Sequence, residues 1–173
     1  MRKSIYKQSG FTLLELLVAL GMIGILVAIG VPAMSDWSQR AQVRSEAQRY
    51  VGILNLARST AIETNQVVSI DSTTNADGGL DMDVFSDADG AGNQAYNGGG
   101  GDQYIRRVVG EATSLNIVIA PAGVDVISFD QNGRLMGGQV VQIDIENDNA
   151  NLGRVIDVNL SGRSTVSEKT FGG

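Results

Sequence analysis

Residues 10–32 read GFTLLELLVALGMIGILVAIGVP, and from Phe11 to Gly30 every residue is apolar or small except Thr12 and Glu15. At about 1.5 Å rise per residue, about 20 such residues span the roughly 30 Å hydrocarbon core of a bilayer. A carboxylate near the start of such a helix is out of place. At membrane depth a charge costs about 2.5–3.5 kcal/mol on insertion scales unless a partner meets it. Glu15 is therefore the strongest functional clue in the chain.

The ten residues before the run, MRKSIYKQSG, are short and basic. Positive charge ahead of a span places the N-terminus in the cytoplasm and the rest of the chain on the far side. A secretory signal has a similar start, and Ala28-Ile29-Gly30 fits a small-x-small cleavage site. The apolar run is longer than the usual h-region of roughly 7–15 residues, however, and leads straight into a helical pattern. Pro32 follows the run, where a proline in a helix interior removes one hydrogen bond and kinks the axis.

From Ser35 to Thr64 the pattern is helical. Val43, Ala47, Tyr50, Leu54, Ala57 and Ala61 form one apolar stripe, with Arg40, Arg44, Arg49, Arg58, Asp36, Glu46 and Glu63 mostly off it. Asn65 is positioned as a C-cap. A helix continuous from Phe11 would be roughly 80 Å long. Its second half would lay the stripe on a sheet, and the Arg cluster after the span reads as a solvated helix face, with inter-subunit pairing as the alternative.

After Asn65 the period changes to two. Strands are expected at Gln66 to Asp71, Leu80 to Val84 (half-buried, with Asp81 and Asp83 outward), Ile105 to Val109 and Leu115 to Ile119. Others follow at Val126 to Asp130, Val141 to Ile145, Val155 to Leu160 and Arg163 to Val166, with a loop over Asn147 to Gly153. Asn132-Gly133 and Ser161-Gly162 mark turns. Short strands joined by turns predict a mainly antiparallel sheet.

Composition narrows the function. The formal charge is -6, from 13 Lys and Arg against 19 Asp and Glu. Removing residues 1–10 takes away Arg2, Lys3 and Lys7 and makes the remainder more acidic still, which argues against a nucleic-acid partner. Arg106, Arg107, Arg134, Arg154 and Arg163 supply basic groups, but the tail mixes Arg163 with Glu168 and Lys169. With no Cys and no His, a disulfide framework, a thiolate or His metal site and a Ser-His-Asp triad are all excluded. No two carboxylates pair convincingly for acid/base hydrolysis.

One long loop, Phe85 to Tyr104, is acidic and glycine-rich. Asp87, Asp89 and Gly92 occupy positions 1, 3 and 6 of an EF-hand-like pattern, but Ala91 and Gly98 stand where further ligands belong. The residues allow a solvated surface loop or a weak calcium site with Asp87 and Asp89 as metal ligands.

Gly10-Phe11-Thr12-Leu13-Leu14-Glu15, behind a basic leader and ahead of an apolar helix, resembles the type III signal of type IV pilins and type II secretion pseudopilins. The resemblance implies that a prepilin peptidase cuts between Gly10 and Phe11 and N-methylates Phe11. It makes Glu15 the assembly glutamate, which meets the α-amine of a neighbouring Phe11. It also implies an α+β pilin fold: residues 1–10 a cleaved leader, 11–34 a transmembrane and polymerisation helix kinked at Pro32, 35–65 its amphipathic second half, and 66–173 a globular β domain. Val126 to Arg134, Gly137-Gly138, Gly153-Arg154-Val155-Ile156 and Ser161-Gly162-Arg163 resemble the GspH/FimT-type subgroup. The expected role is a non-enzymatic minor pseudopilin of a type II secretion pseudopilus that supports fibre assembly and protein secretion, or a minor pilin of a type IV pilus serving assembly and priming, DNA uptake or adhesion, with no cofactor required and calcium the one candidate ligand. Its partners would be other pilins, prepilin peptidase and an inner-membrane assembly platform. It would sit in the bacterial inner membrane as a single-pass protein, domain in the periplasm, and then in a fibre. The competing reading is a membrane-anchored periplasmic binding module that does not polymerise.

Overall fold

The structure, a computed structural model, describes residues 11–75, 79–92, 96, 100–110, 115–147 and 151–171, without the side chains of 31–33. The predicted leader and the Gly10 side of its cleavage site lie outside the described residues, as does the Pro32 side chain. The chain divides into two compact units, Met1–Ser38 and Gln39–Gly173. Helix α1, Leu13–Thr64, contributes to both.

In the first unit the large side chains of α1 are exposed at consecutive positions, among them Leu13, Leu14, Leu16, Leu17, Val18, Ile25, Leu26 and Val27. A helix apolar all round belongs inside a bilayer or among other helices. By length and composition α1 is able to cross a membrane.

In the second unit α1 is one-sided. All six residues of the predicted stripe are buried, and Ile53 joins them. Tyr50 and Leu54 are among the largest fully buried side chains, and Ala47, Ala57 and Ala61 are buried beside them. Glu46, expected off the stripe, is buried too. Arg49 Nε lies 3.3 Å from its carboxylate, and the guanidinium sits 5.4 Å from the Tyr50 ring centre. Burial, and then the Glu46 charge, push the Tyr50 phenol up to about 12. The helix ends at Asn65, whose φ of 53° is the left-handed conformation that asparagine tolerates at a C-cap.

Among the described residues eight strands follow: β1 Val68–Thr74, β2 Leu80–Ser86, β3 Gln103–Val108, β4 Asn116–Ala120, β5 Val126–Phe129, β6 Val141–Asn147, β7 Leu152–Val158 and β8 Ser164–Glu168. They form two four-stranded sheets, β3-β2-β1-β5 and β4-β6-β7-β8, rather than one. Every pairing is antiparallel. The helix stripe and the inner faces of both sheets make a single apolar cluster, with Ile70, Val84, Ile127 and Phe129 from the first sheet and Ile143, Ile145 and Ile156 from the second. Asn147 and Leu152, expected in a loop, pair as the last rung of the β6–β7 ladder.

Strand β2 departs from its predicted half-burial. Asp81, Phe85 and Ser86 are buried as well as the apolar set: Asn75, Arg107 and Gly110 enclose Asp81, and Tyr96 of the following loop stands over Phe85. Tyr96 stands edge-on to Phe85 at 5.4 Å and to Tyr104 at 5.7 Å. Ser69 and Ser128 share a 2.7 Å hydrogen bond across β1 and β5, and Ser128 Oγ also donates to the Gly92 carbonyl at 2.8 Å. Within the described part of this loop Asp87 is buried and Tyr96 packs on Phe85, while Ala88, Asp89, Ala91, Gly100 and Gly101 are exposed.

Two turns are built alike. In Asp130-Gln131-Asn132-Gly133-Arg134 the Asp130 Oδ1 accepts the N–H groups of Asn132 and Arg134, while Gly133 N–H donates to the Asp130 carbonyl. In Asn159-Leu160-Ser161-Gly162-Arg163 the Asn159 Oδ1 accepts from Ser161 and Arg163, and Gly162 N–H donates to the Asn159 carbonyl. Arg58 ties both to the helix: Nε donates to the Gly133 carbonyl at 2.8 Å and Nη2 to the Ser161 carbonyl at 3.3 Å. Arg58 is therefore half-buried and structural, not part of a solvated face. A Cβ on Gly162 would collide with the Gly133 carbonyl oxygen.

Gly162 and Gly138 have similar positive φ, 74° and 70°, but a Cβ on Gly138 meets open space. Gly138→Ala should lower unfolding free energy by about 1 kcal/mol, the left-handed penalty alone. Gly162→Ala should lower it by roughly 3 kcal/mol or more, since the two turns must also separate. Denaturant unfolding of the full chain in detergent measures the difference.

Candidate functional site

The functional site predicted from sequence lies at the start of α1, where Phe11 is the first described residue and is 87% exposed. Glu15 is exposed but not unmet. Its Oε2 accepts the Thr12 N–H at 3.1 Å and the Thr12 hydroxyl at 3.2 Å. The Glu15 N–H donates in turn to Thr12 Oγ1 at 3.2 Å. This reciprocal pair is a capping box, Thr-x-x-Glu, which satisfies backbone donors that a helix start leaves over. The expectation of an uncompensated carboxylate is corrected to this extent: the negative charge sits on the positive end of its own helix dipole. Thr12 is the residue that sequence reading passed over, although its three-residue spacing from Glu15 is the signal.

Asp87 and Asp89 do come together. Asp87 accepts the Gly90 N–H at 3.2 Å through Oδ1 and the Gly92 N–H at 2.8 Å through Oδ2. Asp89 Oδ1 accepts the Ala91 N–H at 2.8 Å. Burial and the neighbouring Asp89 raise the Asp87 carboxyl, whereas the Ala91 N–H holds Asp89 low. Among the described residues no group of three or more acidic side chains forms that could hold a metal ion. Gly98, where the EF-hand-like pattern would place its last ligand, lies outside the described residues. The observed work of Asp87 and Asp89 is to hold backbone N–H groups of the loop after β2.

A second polar cluster closes the far end of that sheet. Asp81 Oδ1 accepts the Gly110 N–H at 2.8 Å and the Asn75 amide at 2.9 Å, and Oδ2 accepts Arg107 Nη2 at 3.1 Å. Burial pushes the Asp81 carboxyl up, but these donors together outweigh it and hold the group below the ordinary carboxylate value. Asp71 goes the other way: burial raises it, although it accepts the Tyr96 N–H.

An apolar helix that opens on a capped glutamate and then lays one stripe on antiparallel sheets defines the pilin class of α+β fibre subunits. The chain belongs to the family described as Type II transport protein GspH, whose model matches residues 46–162. A prokaryotic N-terminal methylation motif matches residues 5–31. The fold resembles the type IV minor pilin FimU of Pseudomonas aeruginosa, with TM-score 0.60 and 24% identity over 76% of this chain and 92% of that one. It also resembles the minor pseudopilin EpsH of the Vibrio cholerae type 2 secretion system, with TM-score 0.50 and 13% identity over 73% and 96%. A fimbrial protein of Pseudomonas aeruginosa is 37% identical over 62 residues, 36% of this chain and 40% of the relative. The match therefore spans less than half of that relative's length. Pilin and pseudopilin subunits are structural, not enzymatic.

The directions at Asp81 and Asp71 have opposite consequences for acid stability. Asp81 is lowered, so its contribution is complete above the unfolded carboxylate value, about 3.9, and is lost as pH falls through the folded one. Asp71 is raised, so the fold gains stability as pH falls through its value. Asp81→Asn should flatten the loss of melting temperature below about pH 4, and Asp71→Asn should raise the melting temperature at pH 7; thermal scans across that range read both. At the helix start, Thr12→Val should remove about 1 kcal/mol of capping. Hydrogen exchange over residues 12–18 of the detergent-solubilised chain should then be several-fold faster.

Proposed function

We propose that this chain is a minor pseudopilin, held in the bacterial inner membrane by residues 11–34 and then built through the same helix into a type II secretion pseudopilus. A prepilin peptidase removes residues 1–10 at Gly10-Phe11 and methylates Phe11. The observation that carries this reading is the first half of α1, apolar and exposed at consecutive positions, with a single carboxylate at its start. Such a surface suits lipid in one state and neighbouring helices in another.

Assembly then exchanges one set of donors for another. In the free subunit Glu15 caps its own helix through Thr12. In the fibre the cationic α-amine of a neighbouring subunit's Phe11 offers a full charge in a low-dielectric setting, a stronger partner than a neutral N–H and hydroxyl. That pairing sets axial register, while helix packing supplies the bulk of the attraction. An inner-membrane platform would drive insertion. No cofactor enters the scheme.

The second reading, a minor pilin of a type IV pilus, draws on the fold likeness to FimU and on the fimbrial relatives matched over the helix. Deleting the gene separates the two: lost protein secretion with intact pili supports the first, and lost pili with intact secretion supports the second. Glu15→Ala should leave membrane insertion and cleavage intact and reduce the chain in sheared fibres about tenfold or more. Mass spectrometry of the mature N-terminus should show methyl-Phe11. An uncut Met1, or full incorporation of the Glu15→Ala chain, would refute the scheme.

A further inference from the structure

Within the second unit, residues 40–44 of α1 and the β7–β8 edge enclose a depression of about 210 Å³, lined by Arg40, Val43, Arg44, Arg154, Glu168, Lys169 and the stretch Asn151–Gly153. Of its basic groups, Lys169 is committed to Asp144 and Glu146. Arg154 reaches Glu168 at 2.9 Å, where the Glu168 side chain is 79% exposed. Arg40 and Arg44 are exposed, one helical turn apart, and no acidic side chain meets either among the described residues. The site is thus cationic in excess, on a chain whose net charge is -6.

Its place along the chain narrows the anion. Arg40 follows Met34, the end of the apolar segment, by six residues. Six residues extend at most about 21 Å, so a chain anchored at Met34 keeps Arg40 near the bilayer surface whatever the geometry between. The signs are also unusual for a span. Once residues 1–10 are removed, no basic side chain precedes the span, and Arg40, Arg44 and Arg49 follow it. Loop cations ordinarily favour the cytoplasmic side, so basic residues kept on the far side call for an interaction there. An arginine fork matches the oxygens of a phosphate better than a lysine would.

We propose that this depression seats the phosphate of an anionic phospholipid headgroup in the outer leaflet of the inner membrane, with Arg40 and Arg44 as the principal donors and Arg154 at its rim. The proposal rests on the membrane-anchored reading above. It gives the stored subunit a defined rotation and depth at the membrane surface. Entry into a fibre would have to release that contact.

The test uses the full mature chain in nanodiscs of phosphatidylcholine alone, or with one-third phosphatidylglycerol, read by hydrogen exchange. Phosphatidylglycerol should slow exchange over residues 39–48 and 151–155, and Arg40→Gln/Arg44→Gln should weaken the effect about 30-fold, the loss of two basic groups at an anionic surface. The apolar segment should be equally protected in both discs. Equal exchange in the two discs with a protected span would overturn the headgroup seat alone. An unprotected span in both would overturn the anchored reading and the seat with it. Slowing by inorganic phosphate in detergent to the same extent would assign a free-anion site instead. Slowing in phosphatidylcholine discs that grows with protein density would assign the arginines to a neighbouring subunit.

Discussion

One stripe of α1, from Val43 to Ala61, has to leave water, and the unit from Gln39 onward is arranged to receive it. The stripe sets two large residues, Tyr50 and Leu54, between the smaller Val43 and Ala47 on one side and Ala57 and Ala61 on the other, and all six are buried. Neither sheet alone covers it; both contribute inner-face residues to the same apolar cluster. Arg58, just off the stripe, then fixes the end of the helix to two turns at once. Core burial sets the helix against the sheets, and one guanidinium with two carbonyl partners holds it in register there.

The same helix meets a different demand at its start. The large apolar side chains of its first half are exposed, and its single charge is turned onto its own N-terminus through Thr12. A capped carboxylate is easier to store in a membrane than a bare one, because the helix dipole and two donors offset part of its solvation loss. The capping donors are neutral and exposed, so a cationic amine can displace them.

The domain's acidic residues divide by what they accept. Asp81 collects an amide, a backbone N–H and a guanidinium and stays ionised in a buried place. Asp87 and Asp71 take backbone N–H groups from the loop after β2, and burial raises both. Asp130 and Asn159 each organise a turn with one side-chain oxygen. Much of the negative charge that composition presents as a solvated surface is thereby engaged in holding loops.

Sequence by itself determined the features that depend on period and on local chemistry. The stripe at Val43, Ala47, Tyr50, Leu54, Ala57 and Ala61 is legible because helical spacing alone puts those residues on one face. The strands from Val68 to Glu168 are legible from alternation and turns, and the fibre-subunit signal from six consecutive residues ahead of an apolar run. The tertiary structure alone decided how those strands divide into two sheets, since pairing partners distant in sequence leave no periodic mark. It alone showed that Tyr96 of the acidic loop stands over Phe85 and that Asn75, Arg107 and Gly110 enclose Asp81, residues of β2 whose alternation reads as half-exposed. It alone joined Arg58 to Gly133 and Ser161, contacts across 75 and 103 residues. The Thr12–Glu15 pair lies between the two: its spacing is in the sequence, but only geometry shows that the carboxylate turns back onto its own helix.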